Sequence, residues 1–147
     1  MSKVISEFRG VNRFLSNFYP ATIIMDGLRF TDSEAAFQSQ KEPEKAHMYE
    51  GLDPKTTKAM GRKANLRSDW DEVKDDTMRR VVRLKFEQNS DLQKRLIDTG
   101  EAVLIEGNNW HDNYWGVCTC DKCERISGKN MLGKILMEIR NEFKERT

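Results

Sequence analysis

The sequence predicts an α+β fold, a single domain in which several helices pack with a small, mostly antiparallel sheet. Three observations carry this reading. The pair Asp26-Gly27 lies between two β-prone runs, and both positions of such a hairpin turn need positive φ. Two later stretches, one near residue 70 and one after residue 130, repeat apolar residues at helical spacing. The 147 residues fit one domain and contain no repeat, low-complexity tract or interdomain linker. The expected domain is therefore 1–147.

The elements follow in order. Ala21 to Met25 and Leu28 to Phe30 form the hairpin strands. Thr31-Asp32-Ser33-Glu34 has the form of a capping box, so a helix opens near Asp32 and carries Ala35, Ala36, Phe37, Gln38 and Lys41. Pro43 interrupts it, and a short helical piece from Glu44 to Glu50 stops at Gly51. Asp53-Pro54 reads as a cap with proline in the first turn of a helix running to about Ala64. Trp70, Val73, Thr77, Met78, Val81 and Leu84, widened by Val82 and Phe86, mark a core-facing helix over 70–88. Ser90 caps a shorter helix ending at Gly100. Ala102 to Glu106 is the second strand region. A polar, aromatic loop reaches to about Lys129, and Asn130 caps a last helix whose buried stripe is Leu132, Ile135, Leu136, Ile139 and Phe143.

Composition narrows the function. Hydrophobic residues make 37% and charged residues 33% of the chain, ordinary for a globular protein. Twenty-five Lys and Arg against 24 Asp and Glu give a net charge of +1. No global field draws in nucleic acid or membrane, although a local cationic cluster can still hold a small anion. No segment approaches the ~20 apolar residues that span a bilayer, and Met1 to Glu7 lacks the apolar run of a secretory signal. A cytoplasmic protein with no membrane partner is expected. The sequence carries no sign of an oligomeric state.

Four groups of residues could carry chemistry. Glu34 and Lys41 are seven residues apart, and at about 100° per residue they return to one helix face with Gln38 between them. They read either as a capping carboxylate with a solvated lysine or as an acid/base pair with shifted pKa values. The run from Glu106 to Gly116 holds Trp110, Trp115, Tyr114, His111, Asp112 and three asparagines. Flat rings stack on heterocycles and Asn or Asp read polar edges, whereas the plainer reading is a loop pinned by its tryptophans. Asp112 is either a second glycosidase-type carboxylate or a turn former. Arg62, Lys63 and Arg67 form a basic group suited to phosphate or to a helix C-terminus. Cys118, Cys120 and Cys123 in a CxCxxC run, with His111, could be zinc ligands. A second Cys/His pair is absent, so three reduced thiols in a tight turn and no metal is the expectation.

In sequence order, these segments resemble the NADAR (YbiA-like) family. The matching blocks are Phe14-Leu15-Ser16-Asn17-Phe18-Tyr19-Pro20, Ser33-Glu34-Ala35-Ala36-Phe37-Gln38 with Lys41, and Gly61-Arg62. Leu66-Arg67-Ser68-Asp69-Trp70-Asp71, Trp110-His111-Asp112, Trp115-Gly116 and Gly128-Lys129-Asn130-Met131-Leu132-Gly133 follow. Together they run from about Phe8 to Phe143. The resemblance implies a YbiA-like α+β fold and hydrolysis of N-glycosidic bonds. One branch of the family acts on ribosylaminopyrimidine phosphates of early riboflavin synthesis and releases ribose 5-phosphate; another removes ADP-ribose from guanine bases. It also implies that Glu34 is catalytic, that Trp70, Trp110 and Asp112 belong to the site, and that Lys41 has a role, with a Schiff-base amine as one form of it.

On that footing the expected substrate is a small phosphorylated, nucleotide-like molecule, with ADP-ribosylated guanine as the alternative. Trp70 with Trp110 or Trp115 would sandwich the base. Arg62 or Arg67, or more weakly Arg9, would hold a phosphate. Asn17, Asn130 and Phe18 complete the binding set. Catalysis follows one of two routes. Glu34 or Asp112 activates water while the other carboxylate steadies the ribosyl cation, or Lys41 attacks the anomeric carbon while Glu34 moves protons. Neither route needs a cofactor. A non-catalytic reading, a nucleotide-binding or zinc-stabilised module, stays open.

Overall fold

The structure is a computed structural model that describes residues 3–146. In chain order its elements are β1 (Val4–Ile5), β2 (Pro20–Met25), β3 (Leu28–Asp32), α1 (Ser33–Ser39), α2 (Pro54–Arg62), α3 (Trp70–Gln88) and α4 (Ser90–Asp98). Then come β4 (Val103–Leu104), β5 (Gly107–Asn108), β6 (Val117–Cys118) and α5 (Met131–Glu145). Three 3-10 turns, Gly10–Leu15, Pro43–Tyr49 and Asp121–Cys123, join them. The fold is α+β. The chain divides into two compact units, residues 17–92 and the remainder, with the boundary inside α4.

The first unit is built on the hairpin. Asp26 and Gly27 both have positive φ, 52° and 79°, as the turn requires. β2 alternates exposed and buried residues, placing Ala21, Ile23 and Met25 inward. The β2 edge is closed by the end of α3. Gln88 exchanges two hydrogen bonds with the Ile24 backbone, at 2.7 and 2.8 Å, and the Asn89 amide donates to the Thr22 carbonyl. These bonds satisfy groups that an open edge would leave exposed. The α3 stripe then buries Trp70, Met78, Val81, Val82 and Phe86, while Val73, Thr77 and Leu84 of the expected stripe lie at its margins and stay half-buried. Lys85 is also buried on this helix, and its charge acts on Asp32.

The helix starts also follow the sequence signals. The Asp32 carboxylate caps α1 by accepting from the Ala35 N–H at 2.8 Å, and Asp53 caps α2 through the Thr56 N–H at 2.7 Å. The α2 helix stops at Arg62, but Lys63 and Ala64 donate to Met60 and Gly61, so a 3-10 turn carries it to the expected end.

The second unit has two short parallel ladders, β1 with β4 and β5 with β6. The expected strand over 102–106 contracts to Val103–Leu104 because its partner is itself two residues long; flanking bonds from Val103 to Lys3 and from Ile105 to Ile5 extend the pairing. Helix α5 covers β4 and buries Leu132, Ile135, Leu136, Ile139 and Phe143, the full expected stripe. Arg140 and Lys144 reach back to the carbonyls of Ala102 and Gly100, at 2.8 and 2.6 Å.

Asn130 differs from its expected role. It stands at the cap position of α5 with φ 53°, but its side chain makes no capping bond. Loop carbonyls do that work instead, as Met131 and Leu132 donate to Tyr114 and Trp115.

Candidate active site

A cluster of titratable groups, Glu34, Lys41, Lys58 and Arg62, lies along α1, the turn that follows it, and α2. Glu34 is in the first turn of α1, with its N–H bonded to the Asn17 carbonyl at 3.0 Å. The Asp32 cap leaves the Glu34 side chain uncommitted to capping, so it points to a separate role. It is buried, 8% exposed, and accepts a 2.9 Å hydrogen bond from Gln38 Nε2. Burial raises its pKa; the Gln38 bond and the charges of Lys58 and Lys41 act in the opposite direction and do not cancel the rise.

Lys41 lies two residues past the end of α1. The chain keeps turning, with Gln40 and Lys41 donating to Phe37 and Gln38, so Lys41 stays within electrostatic reach of Glu34. Its pKa is lowered, first by burial and further by Arg62 and Lys58, against the pull of Glu34. A carboxyl held toward its neutral form and an amine held toward its neutral form thus share one site. Opposed shifts of this kind are what proton transfer and amine nucleophilicity need.

Gln38 links the two helices. Its side chain fills the space over Gly61 of α2, where an added Cβ would lie 1.8 Å from Gln38 Oε1. Only glycine admits that approach. Oε1 itself lies against Gly61, buried with no hydrogen-bond partner.

The other expected residues of this unit divide. Phe18 is 38% exposed, and Lys58 Nζ sits 5.5 Å from its ring centroid. Arg62 is exposed beside Lys41. Arg67 is instead engaged by Asp69 through both guanidinium nitrogens, while its N–H bonds the Lys41 carbonyl at 2.9 Å. Trp70 is 7% exposed and packs on Phe37, centroids 5.2 Å apart, which leaves little ring surface for a base. Asn17 Oδ1 accepts from Ser33 Oγ at 2.9 Å and its amide lies 3.5 Å from Met78 Sδ. Lys58 escaped the sequence reading. It precedes Arg62 by four residues on α2 and so shares its face, a signal that was there to use.

The loop of the second unit is folded by its own amides. Asn108 Oδ1 accepts from the N–H groups of Trp110 and Asp112, at 3.2 and 3.1 Å, and its Nδ2 donates to the Asp112 carbonyl at 2.8 Å. Asp112 Oδ1 accepts from Tyr114 and Trp115, at 3.1 and 2.9 Å, the pattern of a turn-forming aspartate. Trp110 is 51% exposed, and Tyr114 and Trp115 meet edge to face. Asn130 spends both ends of its amide inside the unit, accepting from Glu106 N–H at 3.0 Å and donating to the Leu104 carbonyl at 2.8 Å. Arg9 is exposed at the start of the Gly10–Leu15 turn. No helix among the described residues is long and apolar enough to cross a membrane.

Comparison with known proteins gives four findings. The NADAR domain matches residues 7–144. The "N-glycosidase YbiA" of Escherichia coli (strain K12) is 37% identical over 133 residues, 87% of this chain and 79% of the relative. A "Riboflavin biosynthesis protein" of Vibrio vulnificus (strain YJ016) is 34% identical over 137 residues, 90% of this chain but 36% of that longer protein. The NMR structure of the Escherichia coli protein YbiA superposes with a TM-score of 0.83 at 32% identity, covering 99% of this chain and 88% of that one.

Proposed function

The chain belongs to the NADAR domain family, and from that premise we propose that it hydrolyses the N-glycosidic bond of a phosphorylated ribosylamine, a ribosylaminopyrimidine phosphate, releasing ribose 5-phosphate. As an enzyme it is a hydrolase acting on N-glycosyl bonds, the activity named for its relatives. The observation that carries the finer reading is the Glu34–Lys41 pair, with its two pKa values displaced in opposite directions by burial. The Vibrio relative's name supports the choice of substrate.

The reaction consumes one water. The bond between the ribose anomeric carbon and the exocyclic amine breaks, the amine leaves with a proton, and the anomeric carbon gains a hydroxyl. In this reading the ribosylamine ring opens and the Lys41 amine adds to the anomeric carbon. Glu34, in its protonated form, gives a proton to the departing amine and afterwards helps water release the sugar from Lys41. Arg62 and Lys58 hold the phosphate, since the Arg67 guanidinium is already held by Asp69. Gln38 keeps the Glu34 carboxyl in one orientation. Phe18 offers partly exposed ring surface beside Lys58, and the buried Trp70 serves as packing behind Phe37. Asp112 stands as the alternative carboxylate for the water-activating route. We place the reaction in the cytoplasm, where three thiols without a disulfide are stable, and read 1–147 as one functional domain.

The test is a product assay. Purified protein is given a ribosylaminopyrimidine phosphate and, separately, guanine-ADP-ribosylated DNA, with mass spectrometry of the products. Ribose 5-phosphate from the first supports the proposal, whereas ADP-ribose alone, or no release, overturns the substrate named. Borohydride added during turnover should leave a sugar adduct on Lys41 that is missing from Lys41→Ala. Active turnover without any adduct excludes the amine route and turns attention to Asp112→Asn.

A further inference from the structure

The loop between β5 and α5 contains a second cluster that the proposed hydrolysis does not use. Ligand atoms of His111, Cys118, Cys120 and Cys123 all lie within 4.8 Å of one another. His111 Nδ1 stands 3.3 Å from Cys120 Sγ, 3.3 Å from Cys123 Sγ and 3.9 Å from Cys118 Sγ. No disulfide joins the three cysteines.

One imidazole nitrogen has either one proton or one lone pair and so serves one hydrogen-bond partner well. Three sulfurs around it exceed what hydrogen bonding organises. A tetrahedral zinc explains the number. With Zn–S near 2.3 Å and Zn–N near 2.0 Å, the tetrahedron has N···S edges of about 3.5 Å and S···S edges of about 3.8 Å. The three observed N···S distances bracket that edge.

We propose that His111, Cys118, Cys120 and Cys123 bind one zinc ion, in a closed Cys3His site that fixes this loop. The sequence offers one CxCxxC half-site and no second Cys/His pair, which is why three reduced thiols without a metal are expected from it. The fold removes that objection. His111 takes the left-handed conformation, φ 70°, uncommon for a residue other than glycine, and its N–H donates to Cys118 Sγ at 3.3 Å. Asn113 supplies the outer support, accepting from Cys118 N–H at 3.0 Å and hydrogen-bonding the Cys123 thiol.

Soft thiolates with one imidazole suit zinc in tetrahedral geometry, and four protein ligands leave no position open for a substrate. The site is therefore structural. The segment it spans has only the two-residue β5–β6 ladder and one 3-10 turn of regular structure, so metal binding contributes directly to its folding.

The test needs no substrate. Full-length protein from zinc-supplemented culture is analysed for metal by mass spectrometry, and the metal-stripped protein is titrated with cobalt(II). About one zinc per chain is expected, together with the visible absorption of a tetrahedral cobalt thiolate. Cys120→Ser and His111→Ala should each weaken metal affinity at least about 10-fold. Wild-type protein that binds neither ion after reconstitution, or whose mass shows two cysteines joined as a disulfide, overturns the proposal. So does a stoichiometric metal other than zinc. The cobalt titration uses the wild-type chain, so it decides the matter even if a variant fails to fold.

Discussion

Two polar clusters among the described residues are held in place by different means. The Glu34 cluster sits on and beside α1 and α2, two capped helices that pack on each other, α1 also packing on the hairpin and the long helix. Its Glu34 carboxyl is buried and its Lys41 amine half-buried, and burial is the leading cause of both key pKa shifts. The 107–130 loop has almost no regular structure. Its shape comes from Asn108, Asp112 and Asn113 standing in for backbone partners, and from four ligand atoms meeting at a point. In one cluster burial shifts the pKa values of a carboxyl and an amine in opposite directions; the other is a scaffold made by side-chain bonds. The contrast teaches that chemistry-bearing residue types do not identify reactive sites. The environment does, by moving pKa values in one case and by bringing four potential ligand atoms together in the other.

Substitutions can separate the two roles. The largest effect belongs to Glu34→Gln, which keeps the shape and removes the proton donor. Turnover should fall about 10²- to 10⁴-fold, with the unfolding midpoint retained. Near-normal turnover would remove Glu34 from the mechanism. Asn130→Ala should act on stability instead. It orphans the Leu104 carbonyl and the Glu106 N–H, at about 1–3 kcal/mol for each group left without a partner. Urea unfolding measures this, and a loss under about 0.5 kcal/mol would show that the loop repairs itself.

Gly61→Ala ranks next. The new Cβ displaces Gln38 from its place beside Glu34, costing about 1–3 kcal/mol. Gln38→Ala opens the space, so the double variant should recover most of the loss. Additive losses would mean that the strain lies elsewhere.

The smallest effect is a change of slope with pH. Burial raises the folded-state pKa of Glu34 above its unfolded value, so the native chain binds more protons in that interval. Its contribution to stability is fully present below the ordinary glutamate range and is lost as pH rises through the raised value. Buried Asp32 adds a shift of the same sign, so the informative quantity is the difference between wild type and Glu34→Gln. Denaturant unfolding across mildly acidic to neutral pH should show the wild type losing stability relative to Glu34→Gln. Parallel curves would place the Glu34 carboxyl in water-like surroundings.

Local signals accounted for most of the fold. The Asp26-Gly27 turn, the Asp32 and Asp53 caps, the α3 stripe and the α5 stripe each depend on residues a few positions apart. Helical periodicity likewise paired Glu34 with Gln38 on α1, whereas Lys41, expected on the same helix, lies in the turn beyond its end, and sequence blocks pointed to the family. The Lys58–Arg62 pair, four residues apart on α2, is an equally local signal.

What the chain by itself determined, then, is which residues cap, turn and form the buried stripes, because those interactions close within one element. Only the tertiary structure decided the rest. It showed that Trp70 is packed on Phe37, that Arg67 is held by Asp69, and that Asn130 braces Leu104 and Glu106 rather than capping α5. It also gathered His111 with three cysteines. Burial and ligation depend on atoms that other segments bring into place, and a pKa or a metal site exists only once those atoms have arrived.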